Sequence, residues 1–272
     1  MTHTIWPLQP DRTELSIVPI KFGDPLRSPA FGTKGSKTGG LVDPATFIAV
    51  WTESSIEKKA VKAFLADRKV RSVKEQALRI PYLADNGTTL HHFVDLLVTL
   101  YDGTRIGFVV KPESTAVRDN LRGFVQRLAK VTPVQRANRL QLLTDRQLPE
   151  WGNLNADLLI KVRFDRRTYV DDDLRHLAPT LTSPIRIGEL ADHLGGGSIA
   201  FRPIVRALYY GTLDYLGVGR IDKNQSVRFS GQVMVDTGRF GPPCDLSMEV
   251  PPEIRRRKAT PVPHRRASYQ NQ

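Results

Sequence analysis

The chain has 272 residues, 40% hydrophobic and 25% charged, which suits a globular protein of two domains with a sizeable core. Its 40 Lys and Arg against 28 Asp and Glu leave +12 at pH 7, a balance that favours a polyanionic partner, nucleic acid ahead of an anionic membrane. A single cysteine, Cys244, excludes a disulfide framework and a cysteine-based zinc site, and no apolar run reaches transmembrane length. The opening MTHTIWPLQP lacks a secretory pattern, so the expectation is a soluble, cytoplasmic protein with no membrane partner.

The basic excess is +1 over residues 1–45, +6 over 46–182, +2 over 183–231 and +3 over 232–272, so the charge is spread rather than gathered in one patch. Residues 1–45 read as an extended arm, rich in Gly, Ser, Pro and Lys from 22 to 43. Its GTKGSKTGG lacks the Gly-Lys-Ser/Thr order of a phosphate-binding loop and no strand precedes it, which leaves Lys34 and Lys37 as simple candidate phosphate contacts.

The apolar spacing of Ile56, Ala60, Val61, Phe64 and Leu65 predicts a helix from Ser54 to Ala66. Strand-like runs follow at 70–83, 91–101 and 104–111, then a helix over 114–129, a strand over 139–144 and helices over 155–162 and 171–177. The pattern is α/β, with a mixed sheet and flanking helices over residues 46–168 and a helical linker over 169–182. Residues 183–231 read as a winged-helix domain: a helix over 185–194, a second over 199–216, and strands 218–221 and 226–229 around the turn Asp222-Lys223-Asn224-Gln225. Residues 232–272, with Arg255-Arg256-Arg257-Lys258, read as a disordered basic tail.

The segment from His91 to Lys111 carries the chemistry. Asp102-Gly103 is a turn signal, and a three-residue loop Tyr101-Asp102-Gly103 pairs Leu100 with Thr104, Asp95 with Val109 and Phe93 with Lys111. That register gathers Val94, Leu96, Val98, Leu100, Ile106, Phe108 and Val110 on one apolar face and turns Asp95 and Lys111 together to the other. A two-residue loop would mix the two sets. Carboxylates there, with Glu57 on the neighbouring helix, suit a hard cation such as Mg²⁺ or Mn²⁺, while a lysine beside them can neutralise a phosphate in transition. Glu57 has a second reading, because Ser54-Ser55-Ile56-Glu57 matches a helix capping box. His91 and His92 alternate faces, so at most one approaches the site, and the whole kit also reads as a surface ion pair.

The runs His92-Phe93-Val94-Asp95-Leu96-Leu97-Val98, Asp102-Gly103 and Phe108-Val109-Val110-Lys111-Pro112 resemble the core of PD-(D/E)xK nucleases. More narrowly they resemble the TnsA-type endonuclease subunit of heteromeric transposases. Glu53 to Glu57, Glu75-Gln76, Leu142 to Asp145 and Asn155 to Leu159 extend the likeness over residues 28–230. The resemblance implies a restriction-endonuclease-like fold with a winged-helix domain behind it. It implies Mg²⁺-dependent hydrolysis of one strand at each transposon end, double-stranded DNA as substrate, and two partners: an integrase-like transposase subunit and an ATPase regulator. Glu57, Asp95 and Lys111 match the family's catalytic residues. Val94 stands where the family has Pro, and Val109 where these nucleases have Glu or Gln. A valine side chain holds no metal, so the ligand set becomes Glu57, Asp95 and the Val110 carbonyl, with Glu53 or Glu113 as possible replacements. Two other readings stand beside this one: a non-catalytic DNA-docking assembly factor, or a stand-alone restriction or repair nuclease. In the winged-helix region Arg202 and Arg206 are candidates for base readout, and Arg220, Lys223 and Arg228 for backbone contacts, with docking of a protein partner as the alternative.

Overall fold

The first helix forms where Ser54 caps it. In the computed structural model, which describes residues 20–26, 38–165 and 167–232, the Ser54 side chain accepts from the Glu57 amide and helix α1 runs Ser55–Leu65. Before it lie three short strands, β1 (Lys21–Phe22), β2 (Gly39–Val42) and β3 (Ile48–Thr52), in a small sheet ordered β1-β3-β2. Part of the segment expected to be an extended arm is thus paired backbone. Lys34 and Lys37 lie outside the described residues, as do residues 233–272 of the expected tail.

The main sheet has four strands in the order β4-β5-β6-β7: β4 (Val70–Leu83), β5 (Thr89–Leu100), β6 (Arg105–Val110) and β7 (Arg139–Leu143). β4, β5 and β6 are antiparallel in turn, and β7 joins β6 in parallel. Between β6 and β7 lie α2 (Glu113–Arg118) and α3 (Leu121–Val131), where the periodicity had predicted one helix. Asn120 at φ 46 breaks it. α4 (Glu150–Phe164) follows and starts a full turn before the expected residue 155, because Pro149 is tolerated where no amide partner is required.

α1 and α4 cover one face of the sheet, where Ala60, Val61 and Ile160 pack with Leu96, Val98, Ile106, Phe108 and Val110. α3 covers the other, where Leu128 packs with Leu78, Ile80 and Val94. Gly107 sits at the middle of that second core because nothing larger fits. A Cβ there would lie 2.5 Å from Leu140 Cδ2 and 3.1 Å from Val94 Cγ1. Gly107→Ala is expected to lower stability by about 1–3 kcal/mol, the usual cost of overpacking, and Leu140→Val in the same chain to recover part of it in thermal melts.

Beyond α4 the order is α5 (Tyr169–Leu177), β8 (Ile185–Arg186), α6 (Ile187–His193), α7 (Gly197–Tyr210), β9 (Leu213–Tyr215) and β10 (Ser226–Phe229), with the strands in one small antiparallel sheet ordered β8-β10-β9. Three expectations are corrected here. The segment read as a linker supplies Val170, Leu174 and Ala178 to the same core as Ile187, Leu190, Ile204 and Val227. The second helix stops at Tyr210 rather than 216, since Gly211 takes the left-handed C-cap at φ 79. The strand that pairs with β10 is consequently 213–215, and residues 218–221 form a loop. That loop is held to α4 by Asn155, whose side chain donates to the Gly219 carbonyl and accepts from the Ile221 amide, both at 2.8 Å. The result is a mixed α/β protein with mixed sheets flanked by helices. Among the described residues no helix is long and apolar enough to cross a membrane.

Candidate functional site

The hairpin adopts the register that the alternation predicted. Leu96 faces Phe108, Leu97 Gly107, Val98 Ile106 and Thr99 Arg105, and the Leu100 amide donates to the Thr104 carbonyl. The paired ladder ends at Leu96–Phe108, so the Asp95–Val109 and Phe93–Lys111 pairs that the register implied are not formed as strand pairs. One part of the apolar face is different: Val94 packs with Leu128 of α3, whereas Leu96 packs with Ala60 and Val61 of α1. The alternation slips at Asp95. The cause lies in β4, whose register shifts between Glu75 and Leu78 with Gln76 at φ 43, so that two residues oppose one. A bulge of this kind re-aims the side chain opposite it, and that side chain is the central carboxylate.

Asp95 is held from two sides. Its Oδ2 accepts from the Val110 amide at 2.8 Å, and the Lys111 ammonium sits 3.0 Å from Oδ2 and 3.3 Å from Oδ1. Lys111 follows the end of β6 and is fixed at its backbone by donating to the Leu143 carbonyl. The pair is sheltered rather than exposed, with the Asp95 side chain at 14% and that of Lys111 at 35%.

Glu57 arrives from the first turn of α1, and its Oε2 accepts from the Glu53 amide at 2.8 Å. A capping box would have this carboxylate accept from the Ser54 amide; it takes the Glu53 amide one residue earlier, so only the Ser54 half of the expected cap is formed. Burial raises its carboxyl above the usual range, the Glu53 amide opposes this, and the charge of Asp95 raises it further. The Ser54 and Lys111 contributions lower it. The charges of Asp95 and Lys111 both act on Glu57, so three side chains up to 54 residues apart in sequence share one electrostatic neighbourhood.

The remaining candidates separate from this group. Val109 is buried at 1% and contributes only packing. Glu113 turns away: it pairs with Arg122 at 2.7 Å. His92 packs edge-on against Phe124, and burial lowers its pKa, which keeps it neutral at physiological pH. Among the described residues no group of three or more His, Cys, Asp or Glu side chains is placed to hold a metal. The donors present are two carboxylates and the Val110 carbonyl. A site in which burial and the charge of Asp95 make the Glu57 carboxylate costly to ionise fits a hard divalent cation, and Lys111 supplies the compensating charge.

In the C-terminal part the readout candidates are engaged within the protein. Arg206, expected to reach a base, is 5% exposed; its Nε lies 3.1 Å from Asp171 Oδ1 and its Nη1 donates to the Asp165 carbonyl. The Nε–H is not aligned on the carboxylate, so that contact is an ion pair rather than a hydrogen bond. Arg202 makes two hydrogen bonds to Asp165, at 2.6 and 2.7 Å, and Arg228 lies 3.3 Å from Asp214. Arg220 and Lys223 are exposed, as backbone contacts require.

Sequence reasoning gave no function to Glu75. It is 5% exposed, and its Oε1 has no hydrogen-bond partner. Burial raises its carboxyl, partly offset by its own amide and that of Trp51. Below the range where an unfolded carboxyl titrates, both states are protonated and Glu75 costs nothing. As pH rises the unfolded chain ionises first, so stability falls until the folded group also ionises. Glu75→Gln is therefore expected to melt at nearly the wild-type temperature near pH 4 and roughly 2–4 °C above it at pH 8, about 1 kcal/mol on the scale of one unmet buried polar atom. Equal melting temperatures across that range would contradict the assignment.

No model of a known protein family matches the chain, and no curated protein matches it significantly in sequence.

Proposed function

We propose that this protein is the metal-dependent DNA endonuclease subunit of a two-part transposase, hydrolysing one strand at each transposon end. The observation that carries the reading is the convergence of Asp95, Lys111 and Glu57 beside a bulge that aims the aspartate, in the order and spacing of restriction-endonuclease-like nucleases. Asp95, Glu57 and the Val110 carbonyl would hold Mg²⁺ or Mn²⁺, which when bound supplies a water of lowered pKa and charge against the developing phosphorane. Asp95 orients Lys111 through its carboxylate, and the Val110 amide fixes Asp95 in turn. Lys111 is free to transfer its three donors from Asp95 to a phosphate oxygen once a metal takes over the carboxylate charge. Glu57 is kept from drifting by the Glu53 amide, which its carboxylate accepts from.

The helix, strand, helix, helix, strand, strand order after α4 supports a winged-helix domain whose first helix is α5. With Arg202 and Arg206 tied to Asp165 and Asp171, this domain docks a protein, the ATPase regulator, in preference to reading bases. The integrase-like subunit performs strand transfer, and the setting is the cytoplasm. A second reading, a DNA-docking assembly factor without catalysis, is favoured by one observation: Val109 is fully enclosed at the position of the missing carboxylate.

The two readings part on cleavage. A labelled duplex carrying a transposon end, incubated with the full chain, its strand-transfer partner and Mg²⁺, is expected to be nicked at one strand per end, and Lys111→Ala to abolish the nick. Nicking that persists in Lys111→Ala, or no nicking with the partner present, favours the assembly factor.

A further inference from the structure

A second feature of the main sheet is not used by the carboxylate site. Between β4, the start of β6 and the turn after α3 lies a groove of about 600 Å³ lined by Arg79, Arg105 and Arg136, with His91, Ala77 and Leu97 among the other lining residues. No carboxylate lines it. Elsewhere arginines such as Arg122, Arg202 and Arg228 have acidic partners, but these three have none among the described residues.

The arrangement is built rather than incidental. The Arg105 amide donates to Asn138 Oδ1 and its carbonyl accepts from the Asn138 amide, both at 2.8 Å, which clamps the β6 start to the turn carrying Arg136. The Arg136 guanidinium in turn donates to the Arg79 carbonyl at 3.4 Å, a long bond that draws one cation toward the strand of another. Holding three like charges on one concave surface costs energy unless an anion shares it. No Phe, Tyr or Trp lines the groove, so it offers no platform for unstacked bases. Ala77 lies in the register break opposite Asp95 and Leu97 lies two residues beyond it, so groove and candidate site draw on neighbouring positions of β4 and β5.

We propose that this groove binds the sugar-phosphate backbone of one strand of duplex DNA, without sequence preference, through Arg79, Arg105 and Arg136. The inference rests on the nuclease reading for its choice of DNA.

The test is binding of a short labelled duplex to the full chain by fluorescence anisotropy over a range of KCl concentrations, for wild type and for R79Q/R105Q/R136Q. The triple variant is expected to bind at least tenfold more weakly. Its plot of log affinity against log salt should be shallower by about 2–3, since each phosphate contact contributes about 0.9. A slope equal to wild type overturns the groove and leaves the nuclease reading untouched. A shallower slope together with an absence of metal-dependent cleavage supports the groove and removes the nuclease reading. No binding by wild type at low salt overturns both. Should the triple variant fail to fold, arginine modification by phenylglyoxal on wild type replaces it: duplex is expected to protect Arg79, Arg105 and Arg136 but not Arg118, and lack of protection overturns the proposal.

Discussion

Asp95→Asn is expected to reduce strand cleavage by about 10³-fold or more while leaving the protein folded. The asparagine keeps an oxygen to accept from the Val110 amide, so the backbone contact at the bulge survives. What it loses is charge: the ion pair with Lys111 and an anionic ligand for a divalent cation. The ion pair is partly exposed and contributes under about 1 kcal/mol, so the melting temperature should move by only a few degrees. Removing a metal's charge from the transition state, by contrast, costs several kcal/mol, which is on the order of 10³-fold in rate. The separation of the two readouts is the informative part. A large loss of stability with unchanged activity would mean that Asp95 serves only the β5–β6 junction.

The second large effect lies at Arg206. Both members of the Arg206–Asp171 pair are enclosed, with side chains 6% and 10% exposed, and Asp171 also caps α5 by accepting from the Thr168 amide. Arg206→Ala leaves that carboxylate buried without its cation, a change that costs about 3–5 kcal/mol, or on the order of 10 °C in melting temperature. Replacing both partners by apolar residues of similar size, Arg206→Met with Asp171→Leu, should recover much of the loss, because the desolvation cost disappears with the charges. DNA affinity measured on the folded fraction of Arg206→Ala is expected to be unchanged. If instead stability holds and affinity falls, α7 is presenting this arginine to DNA and the docking account of the C-terminal domain is wrong.

The sequence was most informative where one local rule fixed many positions at once. In the hairpin, a single choice of loop length fixed the pairs from Leu96–Phe108 to Thr99–Arg105 and turned Asp95 and Lys111 to the same side, so that much is legible in the alternation. The slip at Val94 is not, because it depends on Gln76 taking a positive φ in another strand, and glutamine carries no signal for that conformation. Asn120 broke a helix in the same silent way. Gly211 did carry a signal, as the stop residue of α7; the apolar run continuing to Leu216 masks it, although that run belongs to β9. Arg202 and Arg206 share one helical face at the spacing of a reading head. Their partners, Asp165 and Asp171, lie more than thirty residues earlier, and no local pattern links the two. The basic groove was equally hidden, since Arg79, Arg105 and Arg136 come from three separate elements.

The central claim is that Asp95, Glu57 and Lys111 form a metal-dependent hydrolytic site despite Val109. Calorimetric titration of Mn²⁺ into the full chain with a short duplex present, wild type beside Asp95→Ala, tests it most directly. Saturable binding in wild type that vanishes in Asp95→Ala is the predicted result. No metal-dependent heat in either protein would contradict the claim, because the charge that the metal is assigned against the developing phosphorane would then be missing.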